Sequence, residues 1–137
     1  MPKIVFIALG SNLGDRQANC KTAIDLLKKN SIYVLKISSW HETKAVTLNE
    51  EPQPDYINGV VQIETDLTPH ELLEVCKKIE CDMGRTPTGK RWQARVIDLD
   101  ILLYGDLALD TPELKIPHPE MEKREFVMTP LREILRS

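Results

Sequence analysis

An excess of basic charge is the first thing this 137-residue chain lacks: 18 lysines and arginines stand against 21 aspartates and glutamates, for a net charge of −3 at pH 7. A general nucleic-acid binder shows the opposite balance, so none is expected as a partner. Cysteine is sparse and odd in number: Cys20, Cys76 and Cys81, without CxxC spacing. That excludes a disulfide framework and a zinc knuckle, and suits a reducing, cytoplasmic location. The N-terminal apolar run, Ile4 to Leu9, is too short for a signal sequence or a membrane span. Internal repeats and low-complexity stretches are absent. So are the GxxxxGK[ST] and GxGxxG loops, although Gly10 and Gly14 lie near a helix start. What remains fits a single domain over residues 1–137, large enough to bury a core without staples.

The apolar periods set out the elements. Ile4 to Leu9 is β-branched and continuous, as in a buried strand. Gly10 to Asp15 predicts a turn. A helix follows from about Asp15 to Lys29, with Cys20, Ala23, Ile24 and Leu27 on one face. Ile32 to Ser38 reads as a second strand, and residues 39–56 as a long polar loop of the kind that is usually functional. On a third strand, Ile57 to Thr65, Ile57, Gly59, Val61 and Ile63 face one way, and Asn58, Val60, Gln62 and Glu64 the other. The second helix is fully punctuated: Thr68 as N-cap, Pro69 at the first position, Glu71 closing a capping box. It turns Leu72, Val75, Cys76, Ile79 and Met83 inward and stops at Gly84. After a loop from Arg85 to Arg95, Val96 to Tyr104 is a fourth strand. A small hairpin and a short helix starting at Thr129-Pro130, carrying Leu131, Ile134 and Leu135, complete the chain. Strand–helix–strand–strand–helix–strand is the ferredoxin-like βαββαβ order. The predicted class is α+β: a mainly antiparallel sheet with helices packed on one face, plus a C-terminal extension.

Chemistry concentrates in a few places. Asp98 and Asp100, two apart on the fourth strand, project from one face about 6–7 Å apart while Ile97, Leu99 and Ile101 pack on the other. Paired carboxylates on a central strand repel and lose solvation unless a cation joins them, and magnesium suits them when phosphates complete its shell. A solvated strand edge is the plainer alternative. The preceding loop holds Arg85, Lys90, Arg91 and Arg95 and no acid. It reads either as a clamp on a phosphoryl group or as an ordinary solvated charge run. His118, between Pro117 and Pro119, offers a donor to a phosphate or a structural imidazole. Arg124 and Phe126 place a cation beside an aromatic ring. Tyr56 and Asn58 supply a stacking surface and a paired donor and acceptor for a flat heterocycle, or else a core ring and an edge amide. Trp92 has the same two readings.

These pieces come in a familiar order: Leu9-Gly10-Ser11-Asn12-Leu13-Gly14-Asp15; Gln53-Pro54-Asp55-Tyr56-Ile57-Asn58; Ile79-Glu80 with Gly84-Arg85; Arg91-Trp92 with Arg95; Asp98-Leu99-Asp100-Ile101; and Pro117-His118 through Arg124 and Phe126. With them, over nearly its whole length, the chain resembles the 6-hydroxymethyl-7,8-dihydropterin pyrophosphokinase family of folate biosynthesis. The resemblance implies that a substrate hydroxymethyl oxygen attacks the β-phosphorus of ATP, so that pyrophosphate moves to the pterin and AMP leaves. It implies ATP as co-substrate and two magnesium ions between the triphosphate and Asp98 and Asp100. It implies a pterin held between Tyr56 and Phe126, read by Asn58 and by the backbone of Thr43. Arg85 and Arg95 would act as mobile-loop phosphate contacts, His118 and Arg124 would meet the triphosphate, and Glu80, Trp92 and Ile101 would lie near the nucleotide. The family often has Gly-Pro where this chain has Gln93-Ala94, an arginine where it has Pro87, and a tyrosine where it has Pro119. Small molecules are the expected partners, and the expected state is a monomer.

Two rivals remain at this level. Ferredoxin-like sheets with exposed aromatics can bind single-stranded RNA, but the chain is acidic and lacks the K/R-G-F/Y-G/A-F-V-x-F/Y run. Another nucleotide-dependent transferase on the same scaffold is disfavoured by Tyr56-Ile57-Asn58 together with Phe126.

Overall fold

The sheet is built around one strand. In the computed structural model, which describes residues 2–11, 14–30, 32–43, 56–83, 96–119 and 121–136, strand β1 (Lys3–Ser11) pairs antiparallel with strands on both sides. Helix α1 (Arg16–Lys28) and strands β2 (Ile32–Ile37), β3 (His41–Thr43) and β4 (Tyr56–Thr65) follow. Then come helix α2 (Pro69–Asp82) and strand β5 (Asp98–Tyr104). The order across the sheet is β2-β4-β1-β5, with short β3 pairing onto β4, and every pairing is antiparallel. Strands β6 (Leu109–Asp110) and β7 (Lys115–Ile116) make the small hairpin expected after Gly105. A 3-10 turn at Met121–Lys123 leads into helix α3 (Glu125–Arg136). The class is α+β, as the periodicity predicts.

Side-chain alternation divides the core between the two faces of the sheet. One face carries Val5, Ile7, Leu9, Val61, Ile63, Leu99 and Ile101 beneath α1 and α2. Those helices supply Cys20, Ala23, Ile24 and Leu27, and Leu72, Cys76 and Ile79, respectively. Each helix start is capped by its own sequence. The Asp15 carboxylate accepts the Ala18 amide at 3.2 Å, and Thr68 and Glu71 form the reciprocal box at 3.2 and 2.8 Å. The Thr68 hydrogen bonds hold the Glu71 carboxyl below its ordinary range. Burial pushes the Cys20 and Cys76 thiols up to about 12, which makes them inert.

Three expectations change. First, the helices do not share one face. Helix α3 lies on the opposite side, where Val127, Leu131 and Ile134 join Met121 over Ala8, Val60 and Leu102. Second, α3 begins four residues before Thr129 and carries Pro130 inside it. A proline there removes one N–H and disturbs a turn, at about 3 kcal/mol. The apolar face of α3, set against the sheet, offsets that cost. Leu135 is 60% exposed, because the inward stripe runs through Val127, Leu131 and Ile134. Third, Gly10 and Ser11 are not in a turn but finish β1. The span read as one long loop contains β3, and the fourth strand starts at Asp98 rather than Val96. The helix stop expected at Gly84 lies outside the described residues; Met83 is the C-cap.

Gly59 is fixed by packing. A Cβ there would collide with the ring of Trp40, which packs against the α1–α2 core. Gly59→Ala should therefore lower stability by about 1–3 kcal/mol, the usual cost of overpacking. Urea unfolding, read as a shift in midpoint at constant slope, checks this.

Candidate active site

The face that carries α3 is only partly covered. The apolar cluster beneath α3 takes in Ala8 and Val60. The next cross-strand row is Asn58–Gly10–Asp98, and beside it runs Val60–Ala8–Asp100. A glycine and an alanine from β1 thus form a low floor between two polar walls, Tyr56 and Asn58 on β4 and Asp98 and Asp100 on β5. The floor has to be low. A Cβ at Gly10 would lie 3.1 Å from Asn58 Oδ1 and 3.5 Å from Tyr56 Cδ1, so both side chains lean over the glycine. An isolated glycine inside an apolar strand is the signal for such an approach, masked here by its position next to a turn-like sequence.

The aspartates share this face as predicted, Asp98 half-buried and Asp100 exposed, with Leu99 and Ile101 buried behind them. Two adjacent carboxylates suit magnesium, which takes one or two from the protein and leaves the rest of its octahedron to phosphate oxygens and water. Among the described residues no group of three or more His, Cys, Asp or Glu side chains could enclose a metal. The two aspartates fit a cation whose remaining ligands are phosphate oxygens and water.

Behind β5, Glu80 reaches from α2 and is nearly buried. Its Oε2 accepts the Leu99 amide at 2.9 Å, between the two aspartates along the chain. This carboxylate holds the strand that bears the other two. Burial first, and then the nearby Glu80 and Asp100, raise the Cys76 thiol. The Ile101 side chain points into the α1–α2 core, away from the aspartates.

A β-bulge supports the far end. The β1–β5 register shifts between Phe6 and Ile7, leaving Leu102 as an extra residue. The Leu102 carbonyl accepts the His118 amide at 3.0 Å, which fixes the half-buried His118 beside β5. Bulges of this kind commonly stand next to functional sites. The Arg124 carbonyl then accepts the Val127 and Met128 amides, so Arg124 precedes the first turn of α3. Its guanidinium stands 5.7 Å from the centre of the Phe126 ring, within cation–π range. Phe126 packs half-buried against the cluster under α3. On the other flank, β3 pairs His41 with Asn58 and Thr43 with Tyr56.

The fold brings Tyr56, Asn58, Asp98 and Asp100 to one face, with Phe126 packed on that side of the sheet and the backbone of Thr43 beside Tyr56. Arg85, Trp92 and Arg95 lie outside the described residues. The helix start near Gly14 is not a phosphate loop: Asp15 already occupies it with a carboxylate. Sequence reasoning missed Gly10 and Ala8 as the floor, and it gave no role to His41.

Comparison with known proteins shows the family. The chain matches the family described as 7,8-dihydro-6-hydroxymethylpterin-pyrophosphokinase (HPPK) over residues 6–136. It is 44% identical over 135 residues to the 2-amino-4-hydroxy-6-hydroxymethyldihydropteridine pyrophosphokinase of Bacillus subtilis, covering 98% of this chain and 79% of that protein. The protein of the same name from Haemophilus influenzae is 41% identical over 130 residues, 94% of this chain and 79% of its own length. The mitochondrial folate synthesis bifunctional protein of Pisum sativum is 44% identical over 131 residues, 96% of this chain, but the chain spans only 25% of that longer relative. With the match running from β1 to the end of α3, the chain belongs to the 7,8-dihydro-6-hydroxymethylpterin-pyrophosphokinase family.

Proposed function

We propose that residues 1–137 act as a single pyrophosphokinase domain. It transfers pyrophosphate from ATP to the hydroxymethyl group of 6-hydroxymethyl-7,8-dihydropterin, releasing AMP, in folate biosynthesis. The observation that carries this reading is the register that aligns Asn58, Gly10 and Asp98 in one row and Val60, Ala8 and Asp100 in the next. From β4 to β5 is two strand spacings, roughly 10 Å. That gap suits a bicyclic heterocycle lying over Gly10 with its one-carbon arm toward the aspartates.

In this reading Tyr56 and Phe126 stack on the two faces of the pterin, Asn58 pairs with its amide edge, and the Thr43 backbone borders it. Asp98 and Asp100 would hold two magnesium ions together with the triphosphate. Bound there, magnesium would supply charge neutralisation on the transferring group. Arg124 and His118 would meet the triphosphate from the α3 side, with Trp92 near the nucleotide; Glu80 and Ile101, expected there too, instead lie behind β5 and support the strand from the α1–α2 side. Arg85 and Arg95 would close on the phosphates from the 84–95 segment. Catalysis is then mainly positioning: the hydroxyl is held in line with the β-phosphorus and water is excluded. Among the described residues no helix is long and apolar enough to cross a membrane. The free thiols Cys20, Cys76 and Cys81 support a cytoplasmic setting. An RNA-binding module would need this sheet face open and basic, whereas it carries α3 and two carboxylates.

The direct test is AMP release from ATP on addition of hydroxymethyl-dihydropterin. Release should require both the pterin and magnesium, and AMP formed equally without pterin would sink the assignment. Asp98→Asn and Asp100→Asn should each cut turnover severely, by several kcal/mol of transition-state stabilisation. Circular dichroism should stay unchanged, and wild-type turnover in either variant at saturating magnesium would refute the metal role. Tyr56→Ala and Phe126→Ala should each weaken pterin binding by about 1 kcal/mol beyond lost area. Calorimetry should find ATP affinity nearly unaffected in both.

A further inference from the structure

Glu133, on the last turns of α3, holds a set of hydrogen bonds that the proposed reaction does not use. Its Oε2 accepts both the Ser39 amide and the Ser39 hydroxyl, each at 2.7 Å, and its Oε1 lies 3.1 Å from His41 Nε2. These partners sit more than 90 residues away in sequence, Ser39 on the short connection from β2 into β3 and His41 at the start of β3. The connection is also tied on its other side. Ser38 exchanges backbone and side-chain bonds with Val60 of β4, at 2.9 Å each. Accepting three donors holds the Glu133 carboxyl below its ordinary range, the Ser39 hydroxyl contributing most.

The consequence is geometric. Beyond Ser39 the chain enters β3, where His41 pairs with Asn58 and Thr43 with Tyr56. One end of α3 carries Phe126, and the other end, through Glu133, grips the strand that lines Tyr56 and Asn58. We propose that Glu133 is a positioning residue for the acceptor substrate: by fastening α3 to β3 it sets the separation and angle between the Phe126 ring and the Tyr56–Asn58 wall. It touches neither substrate. This rests on the pterin reading of that slot. It predicts a larger effect on the flat heterocycle than on the nucleotide, since Asp98 and Asp100 stand on β5, at the opposite side of β1, and of the proposed phosphate contacts among the described residues only Arg124 is bonded to the start of α3.

The test measures two affinities by calorimetry, a non-hydrolysable ATP analogue with magnesium, and hydroxymethyl-dihydropterin in its presence. Glu133→Ala should weaken the pterin by about tenfold and the nucleotide by less than twofold. Glu133→Gln keeps an acceptor for Ser39 and should recover most of the loss. Ile134→Val, a neighbour that loosens α3 without touching these hydrogen bonds, should leave pterin affinity near wild type. If Glu133→Ala does not fold, Ser39→Ala removes one of the two donors to Oε2 and should show about a threefold loss for the pterin alone. Equal weakening of both ligands, no change in pterin affinity, or the same loss in Ile134→Val would each overturn the proposal. Tyr56→Ala measured alongside separates the two ideas. If it too leaves pterin affinity unchanged, the slot reading falls and the positioning role with it. If it weakens the pterin and Glu133→Ala does not, only the positioning role falls.

Discussion

Everything at this site depends on β1 being paired on both sides at once. Its residues alternate strictly, giving Val5, Ile7 and Leu9 to the layer under α1 and α2, and Ala8 and Gly10 to the other face. A slip of one residue by β5 would turn Asp98 and Asp100 into the core and Leu99 and Ile101 out of it. Each buried leucine or isoleucine contributes roughly 1.5–3 kcal/mol, while each buried carboxylate would cost several kcal/mol. Both terms favour the observed register. The apolar core, not the site itself, therefore fixes where the carboxylates stand.

The same economy governs charge around β5. Three carboxylates gather near one strand, yet they differ in what they do. Glu80 is buried and spends an oxygen on the Leu99 amide. Asp98 and Asp100 stand on the other face of the sheet, where the proposed magnesium and triphosphate would meet them. The first turn of α1 is closed to such a ligand by the Asp15 carboxylate. Among the described residues, the guanidinium placed over an aromatic ring is that of Arg124, from the approach to α3.

Much of this was legible in the residues because it is local. The capping box at Thr68 and Glu71, the inward stripe of α2 and the shared face of Asp98 and Asp100 all follow from spacing alone. What escaped was tertiary. Nothing in the periodicity of α3 says which side of the sheet it covers, and Pro130 argues for a helix start that packing overrules. Gly10 resembles the turn that follows it, and only its pairing with Asn58 and Asp98 shows that it is floor. Glu133 reads as an exposed helical acid until the fold brings Ser39 and His41 to it. The long-range pairing of β3 was hidden because three residues are too few to show a period of two.

Among the described residues β5 pairs with β1 alone, so it forms a rim of the sheet. Bare rims invite a strand from another molecule to dock and start uncontrolled assembly. Here the Leu99 amide is taken by Glu80 and the Leu102 carbonyl by the His118 backbone, and the bulge at Leu102 breaks the even spacing that a visiting strand would need. The contacts that hold β5 and His118 in place thus also blunt this edge against a docking strand.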